Sequence, residues 1–267
     1  MPPSNVNDPQ YLKKQYKDSS KLDTRIRLHQ RFSVNKYGWQ HWVFVQFKLP
    51  TRCRILELGC GPGYLWLDNL ERILAGWEII LSDFSPRMLE QTCQSLKSRP
   101  EFQFECFNAQ SIPFEEAHFD TVIANHMLYH VADKAAAFAE IRRVLKPGGR
   151  FYASTAGEQN LSEIRDLLCK FDGELASWGK VADSFTLENG MAQLSQWFTK
   201  IKLYRYEDAL EVTEVTPLVD YILSGWAQQI LEKRQNQFIE FVTREMEARG
   251  GVFHISKDAG LFVSSRS

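Results

Sequence analysis

No stretch of this 267-residue chain approaches the roughly 18 apolar residues of a membrane-spanning helix. The N-terminal MPPSNVNDPQYLKKQ lacks the apolar core of a secretory leader. The expectation is a soluble, cytoplasmic protein with no membrane partner. Basic excess is missing too: 32 Lys and Arg meet 33 Asp and Glu, a net charge of −1. Bulk charge therefore gives no hold on a phosphate backbone, and nucleic acid is an unlikely partner. Cysteine is sparse, with Cys53, Cys60, Cys93, Cys106 and Cys169 as the full set. The odd number and the absence of a CxxC pair argue against a disulfide framework or a cysteine-built zinc site, and for a reducing compartment. No internal repeat or low-complexity segment occurs, and oligomeric state is not readable.

Aromatics, by contrast, are abundant: seven Trp and eighteen Phe contribute to 13% of the chain. They fit a rich core or an aromatic-walled pocket equally well. Residues 1–20 are polar. Spaced apolar positions from Leu22 to Phe47 predict one or two docked helices. From residue 53, short apolar runs alternate with helical stretches. Strands are expected at Arg54–Leu58, Glu78–Ser82, Phe102–Phe107, Phe119–Ala124 and Arg150–Ser154, with helices at Leu65–Leu74, from Ser85-Pro86, and up to Pro147-Gly148-Gly149. Such alternation argues for an α/β fold with a parallel sheet covered on both faces. Helices are expected at 158–180, at 186–198 and over most of 216–250, and strands at Lys200–Tyr206 and Gly260–Ser264. The long helical insertion between the last two strands is a candidate lid.

RILELGCGPGYL places Gly59, Gly61 and Gly63 directly after a buried strand. Glycines there let backbone approach a ligand, and the next helix turns its N-terminus toward it. Tyr64 stands where a dinucleotide fingerprint carries its last glycine, which argues against a pyrophosphate ligand. Asp83 follows Gly63 by twenty residues at the end of the second strand, where a carboxylate accepts from ribose hydroxyls. A ligand with a ribose and no pyrophosphate fits both features.

LELGCGPG, LSDFSPRML, NAQSIPFEEAHFDTVIANHMLYHV and EIRRVLKPGGRFYAST, in this order over residues 53–155, resemble the class I S-adenosylmethionine-dependent methyltransferases of the ubiquinone-biosynthesis-like group. The resemblance implies a doubly wound, Rossmann-like seven-stranded sheet of order 3-2-1-4-5-7-6 with the seventh strand antiparallel. It implies a single domain over 1–267: a helical N-terminal cap (1–52), a cofactor-binding core (53–155), and lid insertions with the final strands (156–267). S-adenosylmethionine is the implied cofactor, and no metal is implied. Carried over by position, Gly59 and Gly61 pass the methionine part, which Glu57 supports and Asn125 meets. Asp83 binds the ribose, and Met88 packs on the adenine. Asn108, Ala109 and Gln110 flank its edge, with Asn108 standing where an acidic residue is common. Tyr16 is the candidate cofactor-side lid residue.

His126 and His130 are candidate general bases, and their i, i+4 spacing would set both on one helical face. Packing or hydrogen bonding, and a metal pair, are the competing readings. Tyr129, Trp178, Tyr221 and Trp226, along with Phe185, are candidates to wall an acceptor site, or simply to fill the lid's own core. The function expected is methyl transfer to an oxygen or nitrogen of a small, aromatic or hydrophobic acceptor by in-line displacement. A tRNA or protein methyltransferase, served by basic pairs such as Arg142-Arg143, and a non-catalytic S-adenosylmethionine-binding protein are the alternatives.

Overall fold

In the computed structural model, residues 20–177, 185–225, 228 and 231–267 are described. Two helices, α1 (Ser20–Phe32) and α2 (Trp39–Gln46), precede the sheet. Then come β1 (Cys53–Leu58), α3 (Tyr64–Leu67), β2 (Trp77–Asp83), α4 (Pro86–Leu96), β3 (Phe102–Cys106), β4 (Phe119–Asn125), α5 (Lys134–Val144) and β5 (Leu145–Ala156). The second half holds α6 (Ser162–Phe171), α7 (Gly190–Leu194), β6 (Thr199–Val212), α8 (Val215–Leu223), α9 (Gln235–Glu247) and β7 (Phe253–Ser265). All seven strands form one sheet of order β3-β2-β1-β4-β5-β7-β6. The first five run parallel, and β7 lies antiparallel between β5 and β6, as the resemblance implied.

The central strands are apolar because both faces are covered. In β1 every residue but Arg54 is buried. One sheet face packs on α5 and α7 through Phe138, Ile141, Phe151, Leu194 and Phe262. The other packs beneath α2, α3 and α4 through Phe44, Trp66, Leu96 and Tyr152. A third core joins α1 to the insertions through Leu28, Ile164, Leu218, Ile222, Phe238 and Val242. Local signals start the helices: Ser85 Oγ accepts from Met88 N at 3.5 Å with Pro86 in the first turn, and Asp133 Oδ1 accepts from Ala136 N at 2.9 Å.

Three helical expectations were too long. The stretch Leu65–Leu74 makes only α3 and a 3-10 turn at Leu70–Arg72. Asn69 explains the break: its Nδ2 donates to Leu65 O at 2.8 Å and to Gln40 O at 3.2 Å, which draws the chain toward α2. In 186–198 only α7 is helical. Thr186 and Asn189 bond each other through side chain and backbone, at 2.9 and 3.3 Å, and delay the start. In 158–180, α6 begins after Leu161, whose φ is 58°, and gives way to a 3-10 stretch at Gly173–Ser177; 178–180 lie outside the described residues. The 216–250 stretch is mostly helical, as expected, through α8, a 3-10 turn at Glu232–Arg234 and α9. Among the described residues no helix is long and apolar enough to cross a membrane.

The cap is tied down at both ends. After α1, Ser33 bridges Leu210, Val34 N donates to Ala209 O at 2.8 Å, and Asn35 N donates to Asp208 Oδ1 at 2.9 Å. These bonds cover part of the exposed edge of β6. Tyr64 Oη donates to Asp23 Oδ1 at 2.5 Å, which joins the glycine loop to α1. Arg25 donates from Nε to Ser224 Oγ at 3.0 Å and from Nη2 to Ser224 O at 2.9 Å, which joins α1 to the end of α8.

Candidate active site

At the carboxyl tips of β1, β2 and β4, where strand order reverses, a cleft of about 830 Å³ opens beneath the cap. Its lower half is built from short contiguous segments. Gly59, Gly61 and Gly63 have φ of 65°, 54° and 81°, a region side chains rarely adopt. A Cβ on Gly59 would stand 2.7 Å from Met127 Cβ, and one on Gly63 2.7 Å from Thr92 Cγ2. The loop is therefore closely backed as well as bent. Asp83 braces it: Oδ2 accepts from Gly61 N at 2.9 Å and Oδ1 from Ser85 N at 2.7 Å. Burial raises the Asp83 pKa, and these N–H donors, with that of Phe84, oppose the rise. Thr92 donates its hydroxyl to Gly61 O.

Glu57 is buried at 1% exposure, and its Oε2 accepts from Trp66 Nε1 at 2.6 Å. Burial pushes its pKa up to about 8, against the pull of that bond. At the tip of β4, Asn125 Oδ1 receives Ser154 Oγ at 2.6 Å and Trp39 Nε1 at 3.2 Å, while its Nδ2 donates to Gln40 Oε1 at 3.2 Å. Asn108 Oδ1 accepts from Gln110 N at 3.0 Å, which holds the turn that carries Ala109. Met88 and Ala109 are both core residues and cleft-lining ones.

The upper half is assembled from distant segments: His29 of α1, Trp39 of α2, the turn after β4, Tyr221 of α8 and Lys257 of β7. His126 has φ of 53°, held by its N–H donating to Ser154 Oγ at 2.9 Å, and a 3-10 turn at Leu128–His130 follows. The two histidines thus do not share a helical face, because the chain reverses at His126, but both rings line the cleft. His126 lies 4.8 Å from the Trp39 ring, and His130 lies 4.5 Å from Tyr129. Burial lowers each imidazole to about 4, assisted by Lys257 at His126 and by Arg25 at His130. His29 falls to about 3 through burial and Lys257, and its Nδ1 is sealed from solvent with no hydrogen-bond partner. Lys257 itself pairs with Asp208 at 2.6 Å.

Of the residues singled out from sequence, Glu57, Gly59, Gly61, Asp83, Met88, Asn108, Ala109, Gln110, Asn125, His126, Tyr129, His130 and Tyr221 all line this one cleft. Tyr16, Trp178 and Trp226 lie outside the described residues. Phe185 does not reach the cleft. It is fully buried against Phe138 and Phe262 on the sheet face opposite α2, so its ring serves the core. Sequence reasoning missed Trp39, Gln40 and Lys257 as site residues. YGWQHW, a dense aromatic stretch after a glycine, was the available signal for the first two. Lys257 carries none, because β7 reaches the cleft only through its pairing with β5 and β6.

A family profile described as a methyltransferase domain matches residues 56–153, the span that holds β1 through most of β5. A demethylmenaquinone methyltransferase of Lactococcus lactis is 38% identical over 102 residues, 38% of this chain and 40% of its own length. The biotin biosynthesis bifunctional protein BioHC of Saccharophagus degradans is 33% identical over 169 residues, 59% of this chain and 29% of its own. The chain therefore spans less than half the length of these curated relatives. Among solved structures, the YcgJ protein of Bacillus subtilis superposes with a TM-score of 0.59 at 17% identity, covering 85% of this chain and 97% of that one. Strand order, glycine loop, Asp83 and the profile match agree: residues 56–153 carry a methyltransferase domain of the class I S-adenosylmethionine-dependent type.

Proposed function

We propose that this chain acts as one methyltransferase unit, with cap, core and lid sharing a cleft, and methylates an oxygen or nitrogen of a small, aromatic or hydrophobic acceptor. The observation that carries the reading is the continuity of the cleft. Its glycine loop and its chamber of Trp39, Tyr129 and Tyr221 meet at Asn125 and His126 with no wall between them. The named activity of the Lactococcus lactis relative, on demethylmenaquinone, also supports a small-molecule acceptor.

The residues fit the cofactor. The positive-φ backbone at Gly59 and Gly61 leaves its edge open to a close ligand, and the Asp83 oxygens retain lone pairs beyond the loop N–H bonds they accept. Gly59, Gly61, Glu57 and Asn125 would hold the methionine end, and Asp83 the ribose. Met88, Asn108, Ala109 and Gln110 would hold the adenine. Bound there, S-adenosylmethionine supplies an activated methyl group on a cationic sulfur.

The chain's own task is to orient the acceptor and exclude water, which supplies roughly 7–11 kcal/mol in favourable systems. Trp39 lines the chamber and is backed by Trp42 and Tyr206, with ring centroids 5.2–5.3 Å apart. His126 and His130, uncharged at neutral pH, line the wall where an acceptor O–H or N–H would sit. With pKa values of about 4 they are weak bases, which favours positioning over proton removal. Of the basic pairs an RNA reading would draw on, Arg142-Arg143 is engaged within the fold: Arg142 donates to Trp197 O at 3.0 Å, and Arg143 pairs with Glu140 at 2.7 Å.

Calorimetry with S-adenosylmethionine and S-adenosylhomocysteine, followed by an acceptor panel read by release of the latter, tests the proposal. Absence of binding by either at millimolar concentration would end it. His126→Ala and His130→Ala separate the two roles. A base predicts a fall in kcat of roughly 10²–10⁴, whereas positioning raises KM.

A further inference from the structure

The charges that line the cleft are unevenly distributed. The carboxyl groups belong to Glu57 of β1, which keeps its proton at neutral pH, and to Asp68 at the end of α3 and Asp83 at the tip of β2, all on the cofactor side. Around the chamber, among the described residues, no carboxylate lines the wall, while Arg25, Lys36 and Lys257 do. These cations are not equivalent. Lys36 is exposed at the mouth, where water screens it. Lys257 is already neutralised by Asp208, whose side chain is fully buried beneath it. Arg25 is part-buried and meets only neutral groups of Ser224. Of the five N–H donors of a guanidinium, Ser224 takes two, and the described residues take none of the others.

Among the described residues, Arg25 therefore brings one uncompensated positive charge to a half-enclosed, apolar chamber. Its field reaches inward: it adds to the fall that burial imposes on the His130 pKa and opposes the rise that burial imposes on Tyr221. His29, one helical turn along the same face of α1, adds a polar atom with no partner: its Nδ1 is shielded from solvent and unbonded, and its ring stands edge-on to Tyr221 at 5.6 Å. Buried polar atoms are normally satisfied, so an orphan one helical turn from this cation marks the place of a missing polar group. A guanidinium with free N–H donors suits a carboxylate, which it binds through charge-assisted and often paired hydrogen bonds.

Resting on the methyltransfer reading above, we propose that the acceptor carries a carboxylate, anchored by Arg25 with His29 beside it. The acceptor is thus an aromatic or hydrophobic monocarboxylic acid. One uncompensated cation matches one negative charge. A phosphate monoester, near dianionic at neutral pH, would need a second, and Lys257 is committed to Asp208. The same arrangement disfavours acceptors that bring an ammonium group, which would place like charges together in a low-dielectric space.

Titration of the S-adenosylhomocysteine complex with benzoate, phenylacetate, benzamide, phenylacetamide, benzylamine and phenyl phosphate tests this. The two acids are expected to bind about tenfold or more tightly than their amides, and benzylamine weakest. Arg25→Gln should erase the preference for acid over amide, and Arg25→Lys should keep part of it. Ser224→Ala, which removes a hydroxyl contact but no charge, should leave the preference in place and guards against a merely structural effect of the Arg25 changes. Equal affinity for acids and amides, no binding of either acid, or a preference that survives Arg25→Gln would overturn the proposal. Tighter binding of phenyl phosphate than of either carboxylate would overturn the assignment of a monocarboxylate. S-adenosylhomocysteine binding, measured first, reports separately on the methyltransfer reading. So does turnover confined to neutral acceptors, which would leave that reading intact and remove this one.

Discussion

The two halves of the cleft are made in different ways. The half proposed for the cofactor is backbone: three bent glycines, a turn at Asn108, and an aspartate whose bonds span at most 22 positions along the chain. The half proposed for the acceptor is side chain. Its residues come from α1, α2, α8 and β7, and contacts such as Arg25 with Ser224 and Ser33 with Asp208 join residues 199 and 175 positions apart. A site built from local turns is shaped when its strand and helix form. A site built from cap and lid exists only once the whole chain has closed, and it changes when any of those elements shifts. The first arrangement suits a ligand shared across a family, and the second one peculiar to this chain.

The sharpest way to break this comparison is Gly59→Ala. The added Cβ would meet Met127 Cβ at 2.7 Å and require φ of 65° from a residue that resists it. Strain and overpacking together cost about 2–6 kcal/mol. S-adenosylhomocysteine binding by calorimetry should be lost, while near-ultraviolet circular dichroism of the cap tryptophans stays close to the parent. Collapse of both signals would mean the halves fold as one.

Protonation separates the halves by sign. Glu57 has a folded pKa of about 8 against an ordinary 4.5, so between these values the folded chain keeps a proton that the unfolded chain has lost. Its contribution to stability is full below pH 4.5 and is lost as pH rises toward 8. His29, His126 and His130 behave oppositely, with folded values of about 3 to 4 against 6.5. Their contribution is present above pH 6.5 and is lost as pH falls toward 4. Thermal melts should therefore weaken at both extremes. Glu57→Gln, which can still accept from Trp66, should relieve only the alkaline side, by on the order of 3 kcal/mol. An unchanged alkaline limb would show that Glu57 is ionised in the folded chain.

Asp83→Asn should act next in size. Both carboxylate oxygens receive N–H donors, at 2.9 and 2.7 Å. An amide keeps only one acceptor and turns an NH₂ toward the other donor, at about 2 kcal/mol. S-adenosylhomocysteine affinity should drop by roughly 30-fold, while the acid-over-amide preference of the chamber persists.

How much was legible follows the same division. LELGCGPG and LSDFSPRML reveal their use because glycine positions and a strand-end acid express backbone geometry within a few residues. The sheet order was readable through the resemblance those segments carry. Helix lengths were not. Asn69 and the Thr186–Asn189 pair end or delay helices through side-chain bonds that apolar periodicity does not register. YGWQHW flags Trp39 only as one aromatic among several, and Lys257 could not be assigned because nothing local marks which cation faces a cleft. Phe185 looked like a lid residue for the same reason and proved to be core. His126 and His130 read as a helical pair from spacing alone, and the positive φ at His126 removed that geometry while leaving both rings in the cleft.

Tyr64 joins the two halves, and its substitution should give the smallest effect. It occupies the place of a dinucleotide fingerprint's last glycine, and its hydroxyl reaches Asp23 of the cap at 2.5 Å, across 41 positions. Burial and that bond raise its pKa, so the phenol remains the proton donor at any ordinary pH. Tyr64→Phe preserves the ring and deletes the bond, costing about 1 kcal/mol. Because Asp23 belongs to the cap and Gly59 to Gly63 are backed by Met127 and Thr92, the loss should fall on the cap. Amide exchange over residues 21–32 should quicken, while S-adenosylhomocysteine affinity changes less than about threefold. A fall as large as that of Asp83→Asn, with cap exchange unaltered, would mean that Tyr64 shapes the loop itself, and the division between a locally built half and an assembled one would not hold at this residue.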